Sequence, residues 1–171
     1  IMDKVGDRCV DWCHLLVVAP KPGGGIRITT DLSKLNSQVK RTIHNSRTPA
    51  DVMASRPTGS KYFSTLDAKS GYHQVPLDES SRDLTTFITP WGRYRYLRSP
   101  MGFISSGDSY NLKGDSALQG IENAAKVVDD ILVENMSLEK HYEDVVTVLE
   151  RCRKSKITLN LKKFASAEQS V

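Results

Sequence analysis

The octapeptide KVVDDILV, residues 126–133, sets two adjacent carboxylates between short β-branched runs. Such runs are too short for an ordinary helix and read as buried strands. Asp129 and Asp130 then fall at a tight turn between paired strands, which commits this part of the chain to a hairpin with an acidic tip. Neighbouring carboxylates repel, and near a core they are costly without a partner. A bound divalent cation would satisfy them. A solvated turn would do so as well, because Asp is a common turn residue. The dipeptide by itself leaves both readings open.

A further acid narrows the choice. KYFSTLDA (61–68) is a strong strand candidate that ends in Asp67. If the two strand systems are neighbours in one sheet, Asp67 and Asp129 can face each other. Carboxylates held this way suit two divalent ions, which activate an attacking hydroxyl and stabilise a leaving oxygen in phosphoryl transfer. Oxygen-only ligands favour Mg²⁺ or Mn²⁺ over zinc.

The remaining pattern alternates strands with two longer helices. HLLVVA (14–19) and IRITTD (26–31) read as strands joined by the glycine-rich PKPGGG (20–25). TPADVMASR (48–56) reads as a short helix capped by Thr48, with Pro49 in its first turn and Asp51 favouring its N-terminus. YHQVPL (72–77) and LTTFIT (84–89) are expected strands, TPWG (89–92) a turn, and RYRYL (93–97) an alternating strand. SSGDSYNLKGDSALQG (105–120) is expected to be helical despite its glycines. Ser137 caps a helix whose apolar stripe is expected at Leu138, Tyr142, Val145, Leu149 and Cys152. ITLNL (157–161) is expected as the last strand. The class is α+β with a mainly antiparallel sheet packed on helices.

The 171 residues, 39% hydrophobic, suit one domain or a domain with a small lobe. No apolar run approaches the ~20 residues needed to span a bilayer, and there is no basic-then-apolar leader. Cys9, Cys13 and Cys152 are an odd number and suggest reduced thiols. The expected setting is intracellular, cytoplasmic or nuclear, without membrane or secretion. Cys9-x-x-x-Cys13-His14 has the look of half a zinc site, but no second ligand pair accompanies it. A net charge of +4 is compatible with a polyanionic partner. The chain opens on Ile1 and closes in the polar run FASAEQSV, and is expected to be a piece of something longer.

YFSTLDAKSGYHQVPLDESSRDLTTFITPWGRYRYLRSPMGF (62–103) closely resembles the central block of reverse transcriptases from Gypsy-type long-terminal-repeat retrotransposons. VVDDILV is similar to that family's Tyr-x-Asp-Asp box, and LLVVAPKPGGGIRITTDLSKLN to its N-terminal hairpin. SSGDSYN, the helix after Ser137 and ITLNLKKF continue the match in order, from about Trp12 onward.

The resemblance implies a right-hand polymerase with fingers over 1–40 and 75–105 and palm over 41–74 and 106–171, stopping before the primer grip and thumb. It implies Asp67 and Asp129 as catalytic metal ligands, Asp130 in support, and the Ala68 carbonyl as a further metal contact. Lys163 would protonate the leaving pyrophosphate. Lys21 and Arg27 would bind the triphosphate, Arg offering a planar fork of donors; by residues alone they are a solvated basic hairpin. The glycine-rich loop between them is not a Walker motif. Tyr72 would lie under the incoming sugar and exclude a 2′-hydroxyl, with Gln74 on the same strand face lining the pocket. Pro100, Met101 and Gly102 would contact template and nucleotide. Arg93, Arg95 and Arg98 would meet nucleic-acid phosphates while Tyr94 and Tyr96 pack or stack; the bland alternative sends the tyrosines to the core and the arginines to water.

The implied partners are an RNA or DNA template with a DNA primer, deoxynucleoside triphosphates, and the thumb and ribonuclease H segments of a parent Pol polyprotein. The implied cofactor is Mg²⁺, with Mn²⁺ as a substitute. The sequence departs from the family in placing Val127 where the box has Tyr, and SSGDSYNLKGD where an Ala-Pro stretch is usual. Two other classes fit the acids. One is an inactive retroelement remnant that binds nucleic acid or protein. The other is a metal-dependent phosphohydrolase, which would leave the N-terminal hairpin and Tyr72 unexplained.

Overall fold

The structure, a computed structural model, describes residues 1–21, 24–55 and 59–169. Pro22 and Gly23 of the expected hairpin loop, and Arg56 at the end of an expected helix, lie outside the described residues. The chain divides into two compact units, Ile1–Ile43 with Tyr72–Gly107, and His44–Gly71 with Asp108–Val171.

The first unit is built on a five-stranded sheet in the order β1-β6-β5-β2-β3. Its strands are β1 (Met2–Lys4), β2 (His14–Pro20), β3 (Ile26–Thr30), β5 (Phe87–Thr89) and β6 (Gly92–Tyr96). All pairs are antiparallel except β2 with β5, which run parallel through His14↔Phe87 and Leu15↔Ile88. Tyr96 is buried, its ring 5.2 Å from that of Phe87 and its hydroxyl 3.2 Å from Thr30 Oγ1. A single turn, α1 (Ser33–Asn36), adds buried Leu35.

The second unit carries a four-stranded sheet in the order β7-β8-β4-β9, made of β4 (Tyr62–Asp67), β7 (Ala124–Val127), β8 (Asp130–Asn135) and β9 (Ala165–Gln169). Alternation along β4 and β8 buries Leu66, Ile131 and Val133, which pack with Val145, Val148 and Cys152 of helix α5 (Leu138–Lys154) and with Ala117 and Leu118 of α4 (Ser106–Leu118). Helix α2 (Pro49–Ala54) starts as expected: Thr48 and Asp51 form a reciprocal capping box ahead of Pro49. Ser137 caps α5 through Lys140 N–H. Helix α3 (Glu79–Arg82) is a single turn of the first unit. Among the described residues no helix is long and apolar enough to cross a membrane.

Four local expectations give way. Residues 72–77 are not a strand; Gly71–Gln74 form a 3₁₀ turn, and Pro76 makes only an isolated bridge to Arg98. Ser70 at φ +53° bends the chain, Val75 N–H donates back to the Tyr72 carbonyl at 3.1 Å, and Pro76 has no N–H for a ladder. Of 84–89 only Phe87–Thr89 is strand, because Thr85 and Thr86 hydroxyls donate to the Arg82 and Asp83 carbonyls, both at 2.7 Å, and favour a turn. Residues 157–161 make one bridge, Leu159 to Ala68, and then turn at Leu161–Lys163; the strand comes later, as β9.

Finally, the buried face of α5 is His141, Asp144, Val145, Val148 and Cys152, while Leu138, Tyr142 and Leu149 are 49, 71 and 39% exposed. His141 is buried because its ring bonds Ser64 Oγ at 2.7 Å and Asn135 Oδ1 at 2.9 Å. Asp144 receives Asn123 and Asn135 amides at 2.8 and 2.7 Å. Satisfied polar groups thus hold the inner face that apolarity alone assigns one residue away.

Candidate active site

β4 and β8 pair antiparallel from Tyr62↔Asn135 to Asp67↔Asp130, so the register itself sets these two acids opposite each other at the strand ends. Asp129 is the second residue of the two-residue turn between Val127 and Asp130, which pair. Ala68 N–H donates to the Asp129 carbonyl at 2.8 Å and ties the turn to the end of β4. Buried Leu66 before Asp67, and buried Ile131 and Val133 after Asp130, fix the two strands, and the acids fall where the sheet ends.

The three carboxylates have unequal surroundings. Asp67, half-buried, receives Lys163 Nζ at 2.8 Å and Asn160 Nδ2 at 3.4 Å. That ion pair holds the Lys163 ammonium above its ordinary value. Asp130 is exposed. Asp129 is half-buried, and its Oδ1 is enclosed with no hydrogen-bond partner. Burial first, then repulsion from Asp67 and Asp130, raises its carboxyl above the usual carboxylate range. Gly71 is what lets the chain come so close: a Cβ there would lie 2.5 Å from Asp129 Oδ1 and 2.9 Å from the Tyr110 ring. The Tyr110 phenol is pushed well above its ordinary value by burial and then by Asp129.

An orphaned oxygen in an all-carboxylate set suits an oxygen-preferring divalent cation. The set is not closed into a cage: among the described residues no three His, Cys, Asp or Glu side chains converge to hold a metal. The Lys163 ammonium stands on Asp67 instead. The Cys9-x-x-x-Cys13-His14 run leaves both cysteines exposed as free thiols, and buried His14 sets Nε2 2.9 Å from the Leu84 carbonyl.

Asp67, Ala68, Asp129, Asp130 and Lys163 therefore come together in the second unit. The other sequence-predicted residues lie in the first. Lys21 and Arg27 flank the turn of the β2–β3 hairpin and are exposed, with Lys21 N–H donating to the Gly25 carbonyl at 3.1 Å and Arg27 opposite Ala19. Tyr72 and Gln74 are half-buried in the 3₁₀ turn, so they do not share a strand face. Met101 accepts Thr29 Oγ1 at 3.1 Å and Gly102 accepts Asn36 Nδ2 at 2.8 Å, beside buried Pro100.

The arginines of β6 are engaged at home. Arg93 donates to the Gly6 and Arg8 carbonyls at 2.9 and 2.8 Å. Arg95, only 15% exposed, pairs with Asp83 at 2.8 Å and Asp3 at 3.6 Å. Neither face of the alternation has the expected fate in full: Tyr96 is core, but Arg95 is not given to water. Gly71, Tyr110 and Asn160 were invisible to sequence reasoning. Only Gly71 carries a signal, as a small residue between Asp67 and Tyr72.

A sequence profile described as reverse transcriptase (RNA-dependent DNA polymerase) matches residues 19–171. The enzymatic polyprotein of Cestrum yellow leaf curling virus is 39% identical over 124 residues, which cover 71% of this chain and 19% of that protein. The retrovirus-related Pol polyprotein from transposon 412 of Drosophila melanogaster is 38% identical over 105 residues, 60% of this chain and 8% of that protein. The chain thus spans less than a fifth of the length of these two relatives. Among solved structures, a foamy viral protease–reverse transcriptase in complex with double-stranded DNA superposes with a TM-score of 0.88 at 22% identity, covering 99% of this chain and 29% of that one. The foamy viral protein in complex with an RNA/DNA hybrid gives 0.86 at 21% identity, covering 97% and 22%.

Proposed function

The chain belongs to the reverse transcriptase (RNA-dependent DNA polymerase) family, and from that premise we propose that it is the fingers–palm core of an RNA-directed DNA polymerase from a Gypsy-type retroelement Pol polyprotein. The reaction is transfer of a deoxynucleotide from its triphosphate to a primer 3′-hydroxyl, on an RNA or DNA template, in an intracellular setting. The observation that carries the reading is the enclosed, unpartnered Oδ1 of Asp129, in a carboxylate that Asp67 and Asp130 both repel.

Asp67 and Asp129, with the Ala68 carbonyl, would hold Mg²⁺ or Mn²⁺, which when bound acidifies the primer hydroxyl and neutralises charge on the triphosphate. Asp130, exposed and opposite Asp67, adds negative potential. Lys163 keeps its proton beside Asp67 and is the donor assigned to the leaving pyrophosphate. Lys21 and Arg27 take the triphosphate, and Tyr72, with Gln74, takes the sugar side of the nucleotide. Pro100–Gly102 take the template side. Arg93 and Arg95 would reach a phosphate only by leaving their internal acceptors. In this reading 1–40 and 75–105 are fingers, 41–74 and 106–171 palm, and the parent polyprotein supplies thumb and ribonuclease H.

The Asp67–Lys163 pair favours a second reading, a remnant that no longer binds the cation. Primer extension separates them: the purified chain with an RNA template, DNA primer, deoxynucleotides and Mg²⁺ or Mn²⁺, beside Asp129→Asn. Extension that disappears in the variant is the expected result. No extension from a folded sample, even with the downstream segment restored, would leave the remnant.

A further inference from the structure

Behind the acidic turn lies a lysine that the proposed reaction does not use. Lys126, in β7, is 6% exposed. Its stem crosses α4 at Gly114, where a Cβ would overlap the lysine Cε and Cδ. Its ammonium donates to Asn111 Oδ1 at 2.8 Å and to the Val128 carbonyl at 3.1 Å, and pairs with Asp115 at 3.7 Å. It lies 5.4 Å from the centroid of the Tyr110 ring. Two of its three donors are hydrogen-bonded, and the Asp115 carboxylate neutralises the charge from a longer range.

A buried charge is costly, and an apolar side chain would fill the same slot more cheaply if filling were its only task. What the charge adds is a grip on the turn. Val128 is β-branched and sits at φ +53°, a conformation that persists only where its surroundings enforce it. The carbonyl that Lys126 holds belongs to the peptide leading into Asp129.

We infer that Lys126 is a positioning residue: from a slot opened by Gly114 it grips the Val128 carbonyl, fixes the Val128–Asp129 peptide, and so sets the direction in which Asp129 presents its carboxylate. The inference rests on the reading of Asp129 as a cation-holding residue. Its two consequences are separable, one for the turn and one for the cation.

The test replaces the ammonium and keeps the stem, Lys126→Met, in the full 171-residue chain. Amide hydrogen exchange at residues 128–130 is expected to speed at least about tenfold with exchange in α5 unchanged. The Mn²⁺ dissociation constant, read by electron paramagnetic resonance, is expected to rise about tenfold, the scale of a lost supporting contact. Electrostatics alone predicts the reverse, since removing a positive charge near carboxylates tightens cation binding. Unchanged exchange at the turn, or Mn²⁺ binding that is unchanged or tighter, overturns the inference. Gly114→Ala is the second variant, because it displaces the lysine stem while Ala is the better helix former; it must reproduce the same exchange signature. If Asp129→Asn binds Mn²⁺ as well as the parent chain, the cation reading of Asp129 falls, and the exchange data still decide whether Lys126 holds the turn.

Discussion

Two charged regions of the molecule have opposite economies. On β6 of the first unit, the terminal nitrogens of Arg93 and Arg95 reach acceptors of their own unit, Gly6, Arg8, Asp83 and Asp3. At the ends of β4 and β8 in the second unit, three carboxylates gather and one oxygen of Asp129 is enclosed with nothing to accept from. Both regions look like binding sites in sequence, one basic and aromatic, the other acidic. The folded chain pairs the terminal nitrogens of the first with its own groups, although Arg95 Nε is enclosed without an acceptor; in the second it is an acidic oxygen, Asp129 Oδ1, that lacks a donor. A charge paired internally stabilises the fold, whereas an enclosed carboxylate oxygen without a donor costs stability unless something binds it.

The contrast is sharpest if each side is broken in turn. Asp129→Asn should cut primer extension by at least about a thousandfold, equivalent to about 4 kcal/mol of transition-state stabilisation, while the melting temperature stays level or rises. A raised carboxyl means that ionised Asp129 opposes folding at neutral pH, so neutralising it relieves repulsion. Arg95→Met should do the reverse, costing about 1 kcal/mol in urea unfolding through loss of the Arg95 contacts to Asp83 and Asp3, with Asp83 still paired to Arg8, and with little change in extension per folded molecule. An Arg95→Met chain of full stability that fails to extend would erase the distinction.

Smaller effects come from buried groups that the contrast classes as structural. Burial pushes the Cys152 thiol up to about 11. The unfolded thiol then loses its proton first, so stability should fall as pH rises above about 9, by about 1 kcal/mol between pH 9 and 10; Cys152→Ala should flatten that slope in urea titrations. His141 works in the other direction. Burial lowers its folded-state value, with Asp144 opposing, so the unfolded state binds the proton first as pH falls below about 6.5. Stability should therefore be complete above that pH and decline below it, and His141→Gln should reduce the decline. A chain whose stability rises on acidification through this range would show His141 protonated in the fold.

Much of this was legible in the sequence where a residue's role is local. The capping box at Thr48, the hairpin at Asp129 and the strand ending in Asp67 follow from short-range chemistry. What was not legible depends on distant partners. YHQVPL alternates like a strand, yet only its end meets a partner, the distant Leu97–Ser99 segment, and its start closes into a turn. Tyr142 looks like part of an apolar stripe, yet His141 takes the inner place because Ser64 and Asn135 wait for it across the sheet. RYRYL looks like a track for phosphates until Asp83 and Asp3 are placed beside Arg95. Asn160 and Tyr110 join the acids only through tertiary contact.

Neither unit is continuous along the chain, and this sets an order of events at the ribosome. The first unit opens with Ile1–Ile43 but needs Tyr72–Gly107, since β1 pairs with β6 through Met2↔Tyr96. It can close once residue 107 has emerged. The second unit has by then shown only α2 and one strand, β4, whose partners β8 and β9 begin at Asp130 and Ala165. Domains fold as units and emerge N-terminal end first, so the strand that carries Asp67 waits with both edges unpaired while a nascent neighbour finishes. Such open edges invite pairing with other chains. Pausing or truncating synthesis between residues 107 and 130 therefore exposes the unpaired strand that carries Asp67 to aggregation.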